Sequence, residues 1–274
     1  MLISAEREQL VATWRHAAEQ AMRFGPDLPE AHLRAATMYF YSLPSNKIEL
    51  WFALESERFV YPVLREFYVE RDVVKEERRM RVESNPVGRL IEEVTMAAFV
   101  AHPYRDPIVG YPSDLDHLSR TEALDFYRKY YNAANMVIAI VGDVDPARVR
   151  TLAEKYFSRI PAGEKPMGVT VQELPQRGER RVTIVEQSQP FVIVGYHRPS
   201  AQHPDDPVYE ILTDVLQNGR TSRFYKNLTE TEIALGAGVF SAWPGDKYPN
   251  LYLLLGIPNQ GVTPDSLEQA MYAE

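Results

Sequence analysis

The chain has 274 residues, 45% apolar and 25% charged, which suits one large or two ordinary globular domains and excludes a disordered polypeptide. Its 30 basic and 38 acidic side chains leave a formal charge of −8, which argues against a general nucleic-acid surface; no zinc finger, helix-turn-helix signature or RNA-binding aromatic motif is present. Cysteine is absent, so disulfides, thiolate catalysis and cysteine-held metals are excluded too.

In chain order, residues 4–24 read as a helix with Leu10, Val11, Trp14, Ala18, Ala21 and Met22 as its apolar stripe, ending near Gly25-Pro26. Residues 36–44, ATMYFYSLP, have strand composition, and 48–61 return to helical spacing. A charged helix over 62–83 ends at Asn85-Pro86-Val87-Gly88, and 89–100 form another helix. Ser119 and Glu122 can form a capping box for the helix 120–131. Met136–Val141 is an uninterrupted apolar run ending at Gly142-Asp143, as a buried strand does, and Pro146 can open the helix 147–156. The Pro/Gly/charge-rich stretch 161–180 is the best linker. Beyond it, 181–185, 191–195, 232–242 and 250–257 read as strands and 206–217 as a helix. These elements predict an α+β fold with domains 1–165 and 166–274.

No apolar run reaches the roughly 18 residues that a membrane-spanning helix needs. The N-terminal MLISAEREQL has no basic region followed by an apolar core and cleavage site. The compartment therefore stays open, periplasmic or secreted if the parent protein carries an upstream signal.

The charged helix carries the chemical question. In ERDVVKEERRMR, residues 70–81, nine charges surround three apolar residues. Steps of about 100° put Val69, Met80, Val73 and Val74 in one sector and Glu66, Glu70 and Glu77 inside it, with Arg71, Lys75, Arg78 and Arg79 mostly opposite. Carboxylates on a presumed packing face need partners, because burial and mutual repulsion both oppose ionisation. A divalent cation would supply one, as would arginines from another element. A partly wet seam neutralised by Arg81 is the plainer alternative, and the spacing does not choose between them.

Residues 70–86, ERDVVKEERRMRVESNP, resemble the second metal-site segment of the insulinase, pitrilysin and mitochondrial processing peptidase family of zinc metallopeptidases. The resemblance extends to Tyr39–Pro44, Glu49–Arg58, Tyr130–Asn135, Val141–Pro146 and Asn218–Tyr225, in order, over most of residues 37–260. It implies two related two-layer α/β-roll domains with mostly antiparallel sheets flanked by helices, both incomplete here. It also implies a zinc-dependent endopeptidase acting on peptides or small unfolded proteins, with a second copy or partner half. By this resemblance Glu77 matches the glutamate ligand of zinc, and Glu70 matches an acidic residue that orients or tunes the site. In the family two histidines and the general base come from an HxxEH helix, a donor set suited to zinc.

That helix is missing from the sequence. The histidines are His16, His32, His102, His117, His197 and His203, and no two have the HxxEH spacing; at His16-Ala17-Ala18-Glu19-Gln20 a glutamine stands where the second histidine belongs. Arg34 stands where the family's edge strand has asparagine. The expectation is an incomplete chain, inactive by itself. Its rivals are a non-catalytic peptide-binding or partner subunit and a purely structural α+β module.

Overall fold

The computed structural model describes residue 37 and residues 39–274. The expected helix at 4–24, His16, His32 and Arg34 lie outside the described residues. In chain order the elements are α1 (Ile48–Val60), α2 (Phe67–Arg78), a π turn (Arg79–Glu83), α3 (Pro86–Ala98), α4 (Pro112–His117), α5 (Arg120–Tyr130), α6 (Pro146–Phe157), β1 (Val192–Arg198), α7 (Asp206–Gln217), a second π turn (Tyr225–Thr229), β2 (Ala234–Trp243), β3 (Asn250–Pro258) and α8 (Pro264–Ala273). The fold is α+β, and the chain divides into two compact units.

Of the described residues, the first unit comprises 39–70 and 118–168. Its aromatic centre joins α1 to α6: Trp51 and Phe52 meet Phe157 with ring centroids 5.7 and 5.0 Å apart. α5 joins through Tyr127, whose hydroxyl donates to the carbonyls of Arg58 and Phe59 and so satisfies the open C-terminal end of α1. The capping box of α5 is formed, Ser119 and Glu122 exchanging both bonds, and Asp145 caps α6 ahead of Pro146.

Of the described residues, the second unit comprises 37, 71–117 and 169–274. Its antiparallel sheet has the order β1-β3-β2, with Val194 opposite Leu254 and Val239 opposite Leu254 on the other side. Alternation sends Val192, Val194, Tyr252 and Leu254 to one face, where Leu216 of α7 and Leu267 and Met271 of α8 close over them. The other face carries Ile193, Leu251 and Leu253 and meets Phe99, Tyr104 and the α3 residues Val94 and Ala98. Each large side chain buried here contributes about 1.5–3 kcal/mol. The indole N–H of Trp243 donates to Thr95 Oγ1 at 2.7 Å, tying α3 to this layer.

Three expected strands are corrected. Neither the described part of 36–44 nor Met136–Val141 pairs with another strand, and Val137 and Val141 are almost fully exposed. Residues 181–185 join no sheet among the described residues. An apolar, β-branched run sets a preference for extension, whereas a strand exists only where a partner edge is present. The strands read at 191–195, 232–242 and 250–257 stand within a few residues of their expected ends.

Helix α2 also packs the other way round. Val69, Val73 and Met80 are 64%, 55% and 60% exposed, and Glu66 and Glu70 share that open side. The covered row is Arg71, Val74, Lys75 and Arg78, spaced three and four residues apart as one helix face requires. The physical reason is that the covered cations find partners. Arg78, 6% exposed, binds both oxygens of Glu92 at 2.9 and 3.0 Å and the carbonyl of Gly110 at 2.9 Å. A bidentate guanidinium pair of this kind can outweigh the desolvation that an apolar inward row would have avoided.

Candidate metal-ligating face of helix α2

Helix α2 begins at Phe67, after the loop that follows α1, and runs into the π turn because Asn85 stops it: the Asn85 side chain accepts the N–H groups of Val87 and Gly88 and starts α3. Its back is fastened by cations. Lys75 Nζ lies 2.7 Å from Asp116, Arg71 donates to the Asp116 carbonyl at 3.2 Å, and Arg78 holds Glu92 and Gly110. Glu92 in turn holds the Arg78 proton more firmly than an ordinary guanidinium.

Glu70 is exposed, and Glu77, seven residues and about two turns on, is half-covered. Glu77 is 38% exposed at its side chain and lies 3.1 Å from Arg81 across one helical turn. Glu76, the next residue, points to the wet flank, where Arg79 lowers its proton affinity. The sector read from the sequence is divided in the structure, with Val69, Glu70, Val73 and Met80 exposed, Val74 covered and Glu77 half-covered between them.

Zinc in a closed site takes four donors, and a catalytic site takes three protein donors plus water. Among the described residues no three His, Asp or Glu side chains gather closely enough to hold an ion. The four described histidines are engaged elsewhere. His102 Nδ1 accepts the Tyr104 N–H, His117 Nδ1 meets the Ser113 carbonyl, His197 packs edge-on against Phe99, and His203 accepts the Asp205 N–H. Glu77 is therefore one suitable carboxylate without companions, and the described residues by themselves do not fit a zinc ion.

His102 is a packed side chain, and its surroundings explain why. It is buried among Phe99, Tyr104 and Tyr248, while Glu173 gathers the N–H groups of Val100, Ala101 and His102. Burial lowers its pKa below the ordinary 6.5, although the Glu173 carboxylate pulls the other way. Burial lowers His197 likewise. A depressed folded pKa means that the unfolded chain binds the proton first. Stability should accordingly be constant above the ordinary histidine pKa of about 6.5 and fall as pH drops below it. Urea midpoints compared between about pH 7.5 and about pH 5.5 should show that fall, and His102→Asn should flatten it; an unaltered slope in the variant would remove His102 from the account.

No helix among the described residues is long and apolar enough to cross a membrane. The family model described as the peptidase M16 inactive domain matches residues 117–274. The chain is 27% identical over 212 residues to the zinc protease PqqE of Helicobacter pylori, covering 76% of this chain and 48% of that protein. Its fold resembles the crystal structure of a protease from Helicobacter pylori, with a TM-score of 0.77, 24% identity, and coverage of 83% of this chain and 56% of that one. A peptidase M16 inactive domain from Pseudomonas fluorescens superposes with a TM-score of 0.70 at 16% identity, covering 83% and 55%. The chain spans about half the length of the curated relatives it matches.

Proposed function

Because this chain belongs to the peptidase M16 family, we propose that it serves a zinc-dependent endopeptidase acting on peptides or small unfolded proteins, and that it does not hydrolyse them alone. Glu77 is the carboxylate it offers to a metal, and Glu70, on the same face, tunes the charge there. The imidazoles and the general base come from outside the described residues, so no step of hydrolysis is assigned to these. The reading divides the chain near residue 165, with 1–165 carrying the partial site and 166–274 opening a second, related domain.

One observation carries this reading: a helix fastened from behind by Arg71, Lys75 and Arg78 leaves Glu70 and an apolar strip exposed, with Glu77 half-covered beside them. Exposed apolar side chains interleaved with carboxylates suit a surface that another element covers. A second reading, a non-catalytic subunit that binds peptide or supports an active half, draws on the match to the family's inactive domain. The test is zinc content and peptide cleavage. The chain alone should hold substoichiometric zinc and cleave nothing. In the protein made from the complete coding sequence, Glu77→Gln should remove zinc and cleavage together. If that protein has no HxxEH segment and never cleaves, the second reading replaces the first.

A further inference from the structure

Residues 169–180 form no helix or strand, and among the described residues they make no backbone–backbone hydrogen bond. Three side-chain fastenings hold the segment within the second unit. Tyr248 Oη accepts the Val169 N–H at 3.2 Å. The Glu173 carboxylate accepts the consecutive N–H groups of Val100, Ala101 and His102, each at 2.9 Å. Arg180 donates to the Ala97 carbonyl at 2.6 Å, at the C-terminal end of α3. A segment fastened only through side chains is a strap, which opens at lower cost than a strand inside a sheet.

Two of these fastenings meet at His102. Its own N–H is one of the three Glu173 donors. Its ring lies 5.1 Å from that of Tyr248. Its Nδ1 accepts the Tyr104 N–H, and Tyr104 Oη in turn accepts the Tyr248 N–H. His102 is 3% exposed, and its Nε2 is buried with no hydrogen-bond partner among the described residues. Because Nδ1 accepts, the neutral ring carries its proton on Nε2.

A second proton must go to Nδ1, where it meets the Tyr104 N–H donor to donor. The imidazolium then has two buried N–H groups and no acceptor for either, an arrangement that water relieves. The charged neighbours do not cancel this cost. Burial disfavours the charged form of His102 and of His197 on β1 and lowers both pKa values below the ordinary 6.5. Glu173 pulls the other way on both, and Arg180 adds to the lowering at His197. Burial raises the Glu173 pKa, yet the backbone N–H groups together bring it below the ordinary value, so this carboxylate stays charged while the histidines titrate. Arg105 is spent on the Val100 carbonyl, and Tyr104 and Tyr248 remain neutral in acid.

We propose that residues 169–180 are an acid-loosened strap, and that protonation of His102 lets it go while the β1-β3-β2 sheet stays folded. The acid sensitivity of His102 then acts through a local opening, before the unit as a whole unfolds. The open strap admits water to the ring, so the open form binds the proton first. The strap accordingly stays shut above the ordinary histidine pKa and opens progressively below it. The proposal stands apart from the metal reading, since it uses none of the α2 residues.

Amide hydrogen exchange of the intact chain, resolved by NMR and corrected for the intrinsic effect of pH, reads the opening at the donors that hold Glu173. At about pH 7.5 the Val100, Ala101 and His102 amides should be at least about tenfold less protected than those of Leu253 and Leu254 in the central strand β3. From about pH 7.5 to about pH 5.0 their protection should fall about three- to thirtyfold, the range that one histidine of ordinary pKa in the open form allows. The fall should level off near the midpoint at which the His102 ring itself titrates. His102→Asn keeps an acceptor for the Tyr104 N–H without a titrating ring, so in that variant the fall should vanish. Equal protection of the two sets of amides would overturn the proposal, since only unfolding of the whole unit would then free the strap. So would the absence of any fall, or a fall that persists in His102→Asn. If that variant does not fold, the ring midpoint decides by itself, and a fall that levels off elsewhere overturns the proposal.

Discussion

Gly88→Ala is expected to destabilise the second unit by about 3 kcal/mol or more, because an added methyl group has nowhere to go. A Cβ at residue 88 would stand 1.9 Å from the Arg81 carbonyl oxygen, 2.9 Å from its carbon and 3.2 Å from Val82 Cα. These are backbone atoms of the π turn and cannot rotate aside as the tip of a side chain can. Arg89 adds donors to the same turn, reaching the Glu83 carbonyl, so the contact is fastened as well as close. Relief therefore requires α3 to move, and α3 carries both Glu92, the partner of Arg78, and Val94 and Ala98, which cover the sheet. The loss should appear as a lower urea midpoint and as altered near-ultraviolet circular dichroism. An unchanged midpoint would show that the turn and the helix do not touch in solution.

Arg78→Ala should cost about 3 kcal/mol by a different route, the loss of one partner from a buried ion pair. The guanidinium is buried, and its removal strands the Glu92 carboxylate and the Gly110 carbonyl without their donors. Removing one member of such a pair typically costs about 3–5 kcal/mol, whereas replacing both with apolar groups is often neutral. Glu92 retains some access to solvent, which places the expected loss at the lower end. Arg78→Met combined with Glu92→Leu should accordingly recover most of the stability that Arg78→Ala loses, as measured by urea denaturation. If the double variant is as unstable as the single one, packing rather than charge holds this side of α2.

Much of the helical framework is legible in the sequence because its signals are local. Ser119 with Glu122 and Asp145 before Pro146 each satisfy N–H groups within a few residues, so spacing locates those helix starts, whereas Asn85-Pro86, read as a break before a helix at 89, in fact caps the helix from Pro86. The facing of α2 is a different matter. Hydropathy points Val69, Val73 and Met80 inward, yet the inward side is decided by Glu92 and the Gly110 carbonyl, fourteen and thirty-two residues from Arg78. Nothing local announces such a partner.

Strands divide in the same manner. β2 and β3 are legible because each finds the other across a short connection, with Val239 beside Leu254. Met136–Val141 and 181–185 have strand composition but pair with no edge among the described residues, and composition cannot supply one. Glu70 and Glu77 are legible as sharing a face, since helical periodicity is all that statement needs. The donors proposed to join them at a metal lie beyond the residues that periodicity can reach.

Zinc stoichiometry in the protein made from the complete coding sequence tests the central claim most directly, compared among the unaltered protein, Glu77→Gln and Glu76→Gln. Glu76 is the control because it lies one residue away, on the flank paired with Arg79. The account predicts one zinc per chain in the unaltered protein and in Glu76→Gln, and little or none in Glu77→Gln. Full zinc occupancy in Glu77→Gln would contradict it.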